Sequence, residues 1–314
     1  MLKRTLLLAG AVAALAAPAA GAADTTIAPD AKASGTMTAL DRTVVWVTGA
    51  YGSERLMQKT AAGIAPVQGA LTVKSYPSID LGHDAHGALV LTYLRCRKGA
   101  PCVPVRDDLL GHRAGVHGLT PAHCALSTAP ALWRTRVAYG LDCHGSAAGL
   151  WVKTGSAPAK RLSRPHDAVR FGSKEITAVD LRGTWVGAVA ADVYEYAFSE
   201  HVTGADQEYF LAAASEGDSD EHVRGLGLGT GGSLWTLVDS EHVGDPNQAT
   251  IFRLDPRNCI ESEALTNPAG PNEEDGYLAT GLAVDGTSLF LTAPGTGIVG
   301  HAFTAAQACP PRSI

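Results

Sequence analysis

The sequence predicts an all-β chain, a six-bladed β-propeller of four-stranded blades closed by an N-terminal strand. Three observations carry this. Short apolar runs recur as hairpins about a tight turn, most clearly at Ala279 to Ala293, ATGLAVDGTSLFLTA, where Asp285-Gly286 is the turn. Related hairpins lie at Thr38 to Thr48, Ser78 to Tyr93, Ile176 to Ala191 and Arg224 to Asp239. The turn positions Arg42, Gly87, Gly183, Gly232 and Gly286 keep a spacing of about 48 residues, with one degenerate copy between Gly87 and Gly183. Finally, helical apolar spacing is sustained only in the first twenty residues, which disfavours an α/β fold with crossover helices.

The amino-terminal segment is read apart from the fold. Lys3 and Arg4 precede an apolar run from Thr5 to Ala17, and Ala20-Gly21-Ala22 has the small-x-small form of a cleavage site. Residues 1–22 are therefore a signal peptide, and 23–314 form one propeller domain of a secreted protein. No second long apolar run follows, so no membrane span is expected. The first cysteine is Cys96, too far along for a lipid anchor at the cleavage site.

Thr25 to Ala31 is a short extended piece before Ala33-Ser34-Gly35. The last module, ending after Ile298 to Thr304 in a tail with Pro310 and Pro311, lacks a fourth strand. The early piece is expected to supply it, leaving no open sheet edge. Second hairpins are expected to begin at Arg55 to Lys59, Gly149 to Lys153, Tyr194 to Phe198 and Thr250 to Leu254, which gives four strands per module. Blades are placed at about 37–70, 71–116, 117–165, 166–217, 218–270 and 271–314 on this count. The third is the weakest, since Ala131 to Tyr139 (ALWRTRVAY) lacks a glycine turn.

Composition bounds the function. With 35 glycines, 17 prolines and 46% hydrophobic residues, turns are abundant and a core is affordable. The net charge of −6 contains no run of one sign, which disfavours nucleic acid or an anionic lipid surface as partner. A monomer binding a protein or a small polar ligand is expected. Six cysteines in an exported chain read as disulfides. Cys96 with Cys102 and Cys124 with Cys143 are local pairs, and Cys259 with Cys309 would bridge neighbouring modules. A zinc site at His123-Cys124 and Cys143-His144 is the competing reading, and it lacks the paired C-x-x-C spacing.

The run Val284 to Leu291 (VDGTSLFL) and its four relatives resemble the exported bacterial six-bladed propellers of the TolB-like and NHL-like assemblage, over essentially the whole mature chain. That group includes binding scaffolds, lactone hydrolases and sugar dehydrogenases, so the resemblance implies an architecture and no single activity.

Loops that join the outer strand of one blade to the inner strand of the next converge at one mouth of a propeller axis. Three are polar here: Pro165-His166-Asp167, Asp218 to His222, and Asn272 to Asp275. Two readings compete. These are solvated surface loops, or His166, Asp167, Asp220, His222, Glu274 and Asp275 assemble a ligand site at the axial mouth. Clustered oxygen ligands suit calcium, and crowded carboxylates suit acid–base work. The leading reading is a binding or scaffold protein without a cofactor. The alternative is a metal-assisted hydrolase or lactonase with a cation in the channel. A quinone-dependent sugar dehydrogenase would need several basic residues in these loops, and they are sparse.

Other motifs reduce to turns and packing. His83-Asp84-Ala85-His86 has metal-like spacing but sits in a predicted hairpin turn. Gly227 to Gly232 has the G-x-G-x-x-G form, yet a strand rather than a helix follows it. Ala178 to Trp185 (AVDLRGTW) matches the Asp box of sialidase-like propellers at Asp180, Thr184 and Trp185 only. Trp46, Trp133, Trp151, Trp185 and Trp235 are expected to pack between blades.

Overall fold

The computed structural model describes residues 25–29, 33–143, 148–162, 175–191, 195–203, 209–213, 220–241, 248–255, 259–265, 279–293 and 297–305. The predicted signal peptide lies outside them. Among the described residues the chain is all-β, with only a short 3-10 turn at Thr230–Gly232 besides strands. No helix there is long and apolar enough to cross a membrane.

The hairpins fall where their turns predict. The first sheet is β2 (Ala33–Leu40), β3 (Thr43–Thr48), β4 (Arg55–Thr60) and β5 (Gly63–Pro66), in that order. Its first turn has Asp41 and Arg42 at φ 52° and 62°, a left-handed pair that twists with the strands although neither is glycine. Two later sheets repeat the pattern. One is β15 (Glu175–Arg182), β16 (Trp185–Ala191), β17 (Glu195–His201) and β18 (Tyr209–Ala213). The other is β19 (Asp220–Leu228), β20 (Leu234–Glu241), β21 (Gln248–Asp255) and β22 (Cys259–Leu265).

The last sheet contains both ends of the described chain. Its strands β23 (Gly281–Asp285), β24 (Ser288–Ala293) and β25 (Gly297–His301) are joined by β1 (Thr25–Ala28), which runs antiparallel to β25. Thr25 pairs with Gly300, Thr26 with Val299 and Ala28 with Ile298. Gly297 is required at this join, because a Cβ there would lie 2.0 Å from the Ala28 carbonyl oxygen. The expected role of residues 25–31 in supplying a fourth strand is thus met by pairing.

The middle of the chain corrects the count of six separate four-stranded sheets. Among the described residues, four sheets of four strands stand alone, while a fifth has nine strands. Half of it is β6 (Ile79–His83), β7 (Leu89–Arg95), β8 (Val103–Asp107) and β9 (Arg113–Gly115). The other half is β10 (Cys124–Leu126), β11 (Ala131–Trp133), β12 (Arg136–Cys143), β13 (Gly149–Thr154) and β14 (Lys160–Arg161). One parallel pairing of Trp133 with His83 joins the halves, supported by the Arg134 amide donating to the His83 carbonyl at 2.7 Å.

The reason for the merger is steric and polar. Gly82 lies against β11 so closely that a Cβ would sit 1.9 Å from the Leu132 carbonyl oxygen. The strand that should be innermost in the second half is also broken, with Ser127 to Pro130 between β10 and β11. Side chains of the first half occupy the backbone groups of that break. Thr92 Oγ1 donates to the Pro130 carbonyl at 2.6 Å, and Ser78 Oγ accepts from the Ala129 amide at 2.9 Å. Backbone groups must find partners when buried, and here the neighbouring sheet provides them.

The core lies between adjacent sheets. One cluster packs Leu40, Val45, Leu56, Tyr76, Leu81 and Leu91. Another joins Met37, Val44, Trp46, Ala283 and Ile298 across the first and last sheets. Trp46 and Trp235 are buried, and Trp133 packs against clusters on both sides of it. The expectation that tryptophans pack between modules holds for these three.

Candidate functional site

The first strands β2, β6, β15, β19 and β23 surround a common cavity of about 280 Å³. Its wall is made of small residues, including Gly35, Thr36, Thr177, Ala178, Gly225 and Thr280. Their size reflects how closely the inner strands approach: a Cβ on Gly281 would lie 2.0 Å from the Gly35 carbonyl oxygen, and one on Gly225 2.5 Å from the Leu282 amide nitrogen.

Charge enters the floor of this cavity from two strands, and Arg224 of β19 adds a cation to its wall. Asp80 interrupts the apolar run of β6, and Asp180 and Arg182 come from the inner strand β15. Arg182 reaches across to two other sheets. Its Nη1 donates to the Leu81 carbonyl at 2.6 Å and its Nη2 to the Ala39 carbonyl at 3.1 Å. It also lies 3.3 Å from Asp180 Oδ1 and faces the Trp133 ring, with the guanidinium carbon 5.8 Å from the ring centroid. Asp180 Oδ2 accepts the Leu228 amide at 2.7 Å, which ties β15 to β19.

Asp80 is the unusual member. It is 3% exposed, and its Oδ2 has no hydrogen-bond partner. Burial, and then the neighbouring Asp180 charge, push its pKa well above the usual carboxylate range, against the pull of Arg182 and of backbone amides at Leu132 and Leu81.

Arg182 also lines a second cavity of about 430 Å³ on the far side, among the hairpin turns, with Trp133, Trp185, Gly231, Gly232 and Asp285. The guanidinium stands between the two spaces. His83 borders this region: its Nε2 is 2.7 Å from Asp41 Oδ2, and its ring lies 4.8 Å from that of Trp133.

Of the six residues singled out in the sequence, His166, Asp167, Glu274 and Asp275 lie outside the described residues. Asp220 begins β19 and pairs with Glu241. His222 lies on the same strand, and its Nδ1 is 3.4 Å from Glu195 Oε1 of β17. It contacts the neighbouring sheet and is not among the residues lining the axial cavity. Among the described residues, no group of three or more His, Cys, Asp or Glu is placed to hold a metal ion. Cys124 and Cys143 form a disulfide, as do Cys96 and Cys102, which removes the thiolates that the zinc reading needed. Cys259 is also disulfide-bonded, and its expected partner Cys309 lies outside the described residues. Disulfides fit an oxidising, extracellular compartment.

The turn readings are met. Asp84 Oδ1 accepts the amides of His86 and Ala88, both at 2.9 Å, and Oδ2 accepts Arg106 Nη2 at 2.7 Å. Gly227 to Gly232 runs from a strand through a turn into β20, with no helix to receive a dinucleotide.

Asp80 and Arg182 are not site candidates in the sequence reading, and Asp180 enters it only through the Asp-box match, although a signal was present. Ile79-Asp80-Leu81 and Val179-Asp180-Leu181 repeat apolar-Asp-Leu just before the hairpin turn. An aspartate at such a position is buried against its preference, which marks it as paired or functional.

No protein-family model matches the chain, and no curated protein matches it. Among solved structures, a gluconolactonase from Xanthomonas campestris is similar with a TM-score of 0.53 and 15% identity, over 88% of this chain and 88% of that one. The SapL1 lectin, solved in complex with α-methyl fucoside, gives 0.49 and 13% over 92% and 99%. A chain of the mitotic checkpoint complex gives 0.48 and 11% over 96% and 99%. The likeness to the gluconolactonase supports a β-propeller fold and leaves the chemistry open.

Proposed function

We propose that this is an exported, monomeric six-bladed propeller of the TolB-like and NHL-like kind that binds a small polar ligand in its axial cavity. The nine-stranded sheet is then two blades joined at one bridge, and β1 closes the ring on β25. The observation that carries the binding reading is the cavity itself: walls rich in small residues end on a charged floor where a buried carboxylate oxygen has no partner. Ligand sites commonly combine a preformed concavity with a few such polar groups.

The test is a screen of the full mature chain by thermal shift and calorimetry against small solutes of each charge: a polyol, a carboxylate and an ammonium. At least one should raise the melting temperature. Thr177 lines the mouth from an exposed position, so Thr177→Trp should abolish that rise while preserving a cooperative melt. Absence of any response, or a response unaffected by Thr177→Trp, overturns the reading. Export is tested separately, by the mass of the released chain, which should begin at Ala23.

A further inference from the structure

The floor of the axial cavity carries unequal charge. Asp80 of β6 and Asp180 of β15 bring two carboxylates, and Arg182 brings one guanidinium. The other cation on the wall, Arg224 of β19, is 3.2 Å from Asp239 Oδ2 and so offsets a different carboxylate. The remaining strands around Asp80 add no charge: β2 offers Thr38, whose Oγ1 accepts the Leu81 amide at 3.1 Å, β7 offers Thr92, and β11 offers Leu132. β23 lines the cavity with Leu282, Ala283 and Val284.

A buried carboxylate in excess of its partners takes up either a proton or a cation, since bare burial of the charge is too costly. Asp80 Oδ2 has no hydrogen-bond partner, and Asp180 Oδ1 has only the long ion pair with Arg182. Both sit on residues facing the same space.

Resting on the axial-binding reading above, we propose that the cavity takes a small organic cation bearing a primary ammonium group, held by Asp80 and Asp180. The ammonium brings the missing positive charge and three donors for oxygens that lack them. At any pH where Asp80 holds a proton, binding releases it to solvent, so that charge balances: a neutral acid and an ammonium become a carboxylate–ammonium pair and a free proton.

The alternatives fit less well. Calcium seeks six to eight oxygens, and only two carboxylates face the floor, beside a guanidinium that repels a dication more strongly than a monocation. About 280 Å³ is also far more than a bare ion fills. An anion would meet two carboxylates, and a neutral polyol would bring them no positive charge.

The experiment uses the full mature chain with methylammonium and ethanolamine, and with glycerol and acetate as neutral and anionic controls. Calorimetry is run in buffers of different ionisation enthalpy, with thermal shift from pH 5.5 to 8. The amines should bind, release a proton, and gain up to about tenfold in affinity per pH unit over the range where Asp80 is protonated. Asp80→Asn, near-isosteric and neutral, should bind amines at least about tenfold more weakly and without that pH dependence. Asp180→Asn should also weaken them. If either variant lost its cooperative melt, proton release by the unaltered chain would decide. Binding of amines without proton release, or no more tightly than glycerol, overturns the proposal. Glycerol binding alone, blocked by Thr177→Trp, would overturn the ammonium assignment and keep the cavity as a site. No binding of any solute would remove both.

Discussion

Two junctions between inner strands use the same device and reach different ends. Where β2 meets β23, Gly35 and Gly281 let the backbones approach, yet the strands stay in separate sheets. Where β6 meets β11, Gly82 allows a similar approach, and the strands pair. The difference lies in β11, which is three residues long and follows a break whose backbone groups are taken up by Ser78 and Thr92. Glycine permits contact, and a neighbour with unsatisfied backbone groups turns contact into pairing.

The sharpest way to break this arrangement is at the one side chain that spans the junctions. Arg182→Leu removes the bonds to Leu81 and Ala39 and leaves Asp80 and Asp180 facing each other. A loss of about 4 kcal/mol is expected at pH 8, measured by chemical denaturation, and the loss should shrink as pH falls, because burial and Asp180 favour the protonated form of Asp80. Gly82→Ala is next. The added Cβ meets backbone, which cannot swing aside, so β6 and β11 must separate, at about 3 kcal/mol. Hydrogen exchange at the Arg134 amide should rise in step, and equal exchange would break the link drawn between Gly82 and the merger. A Gly35→Ala variant sharpens the comparison, since its cost should come without a change in any ladder hydrogen bond between β2 and β23.

The disulfides offer a third lever, because of the two with described pairings one joins strands of the nine-stranded sheet and the other closes its loop between β7 and β8. Cys124–Cys143 closes a separation of 19 residues and Cys96–Cys102 one of 6. Replacing each pair by alanine should cost about 3 and about 2 kcal/mol respectively on the chain-entropy account, read from melting curves under oxidising conditions. The reverse order would mean that local strand pairing, here Cys124 directly opposite Cys143, already restricts the unfolded chain.

The pH profile follows from Asp80. Its folded pKa is raised above the ordinary 3.8, so the folded state holds a proton that the unfolded chain gives up. Stability from this group is full below that ordinary value and declines as pH rises towards the folded pKa. Asp80→Asn should flatten that decline, which urea titrations from pH 4 to 8 measure. The smallest effect is expected at Asp84→Ala, about 1 kcal/mol for the lost turn bonds to His86 and Ala88.

Much of this molecule was legible in its sequence because a hairpin is a local object. Asp285-Gly286 and Gly183 announce their turns, and β4, β13, β17 and β21 begin within a few residues of their expected starts. The pairing of the early segment with β25 was legible too, from the strand missing at the other end. The turn at Arg134 was not, because an arginine at φ 58° fills a position that glycine usually marks. The merger of two modules was also hidden, since it depends on what Gly82 meets across space. The charged floor was half visible. The repeated apolar-Asp-Leu shows that two aspartates are buried, but only the packing of separate sheets brings residues one hundred positions apart onto one cavity.

The ladder between β1 and β25 has a mechanical meaning. Because the strands run antiparallel with Thr25 opposite Gly300, the segments leaving those two residues emerge from the same end of the pair. Tension between them peels the ladder open one residue pair at a time, where a shearing geometry would load every bond together. A tether or fusion at both termini would therefore weaken the last sheet first, while cargo attached at one terminus leaves it unloaded.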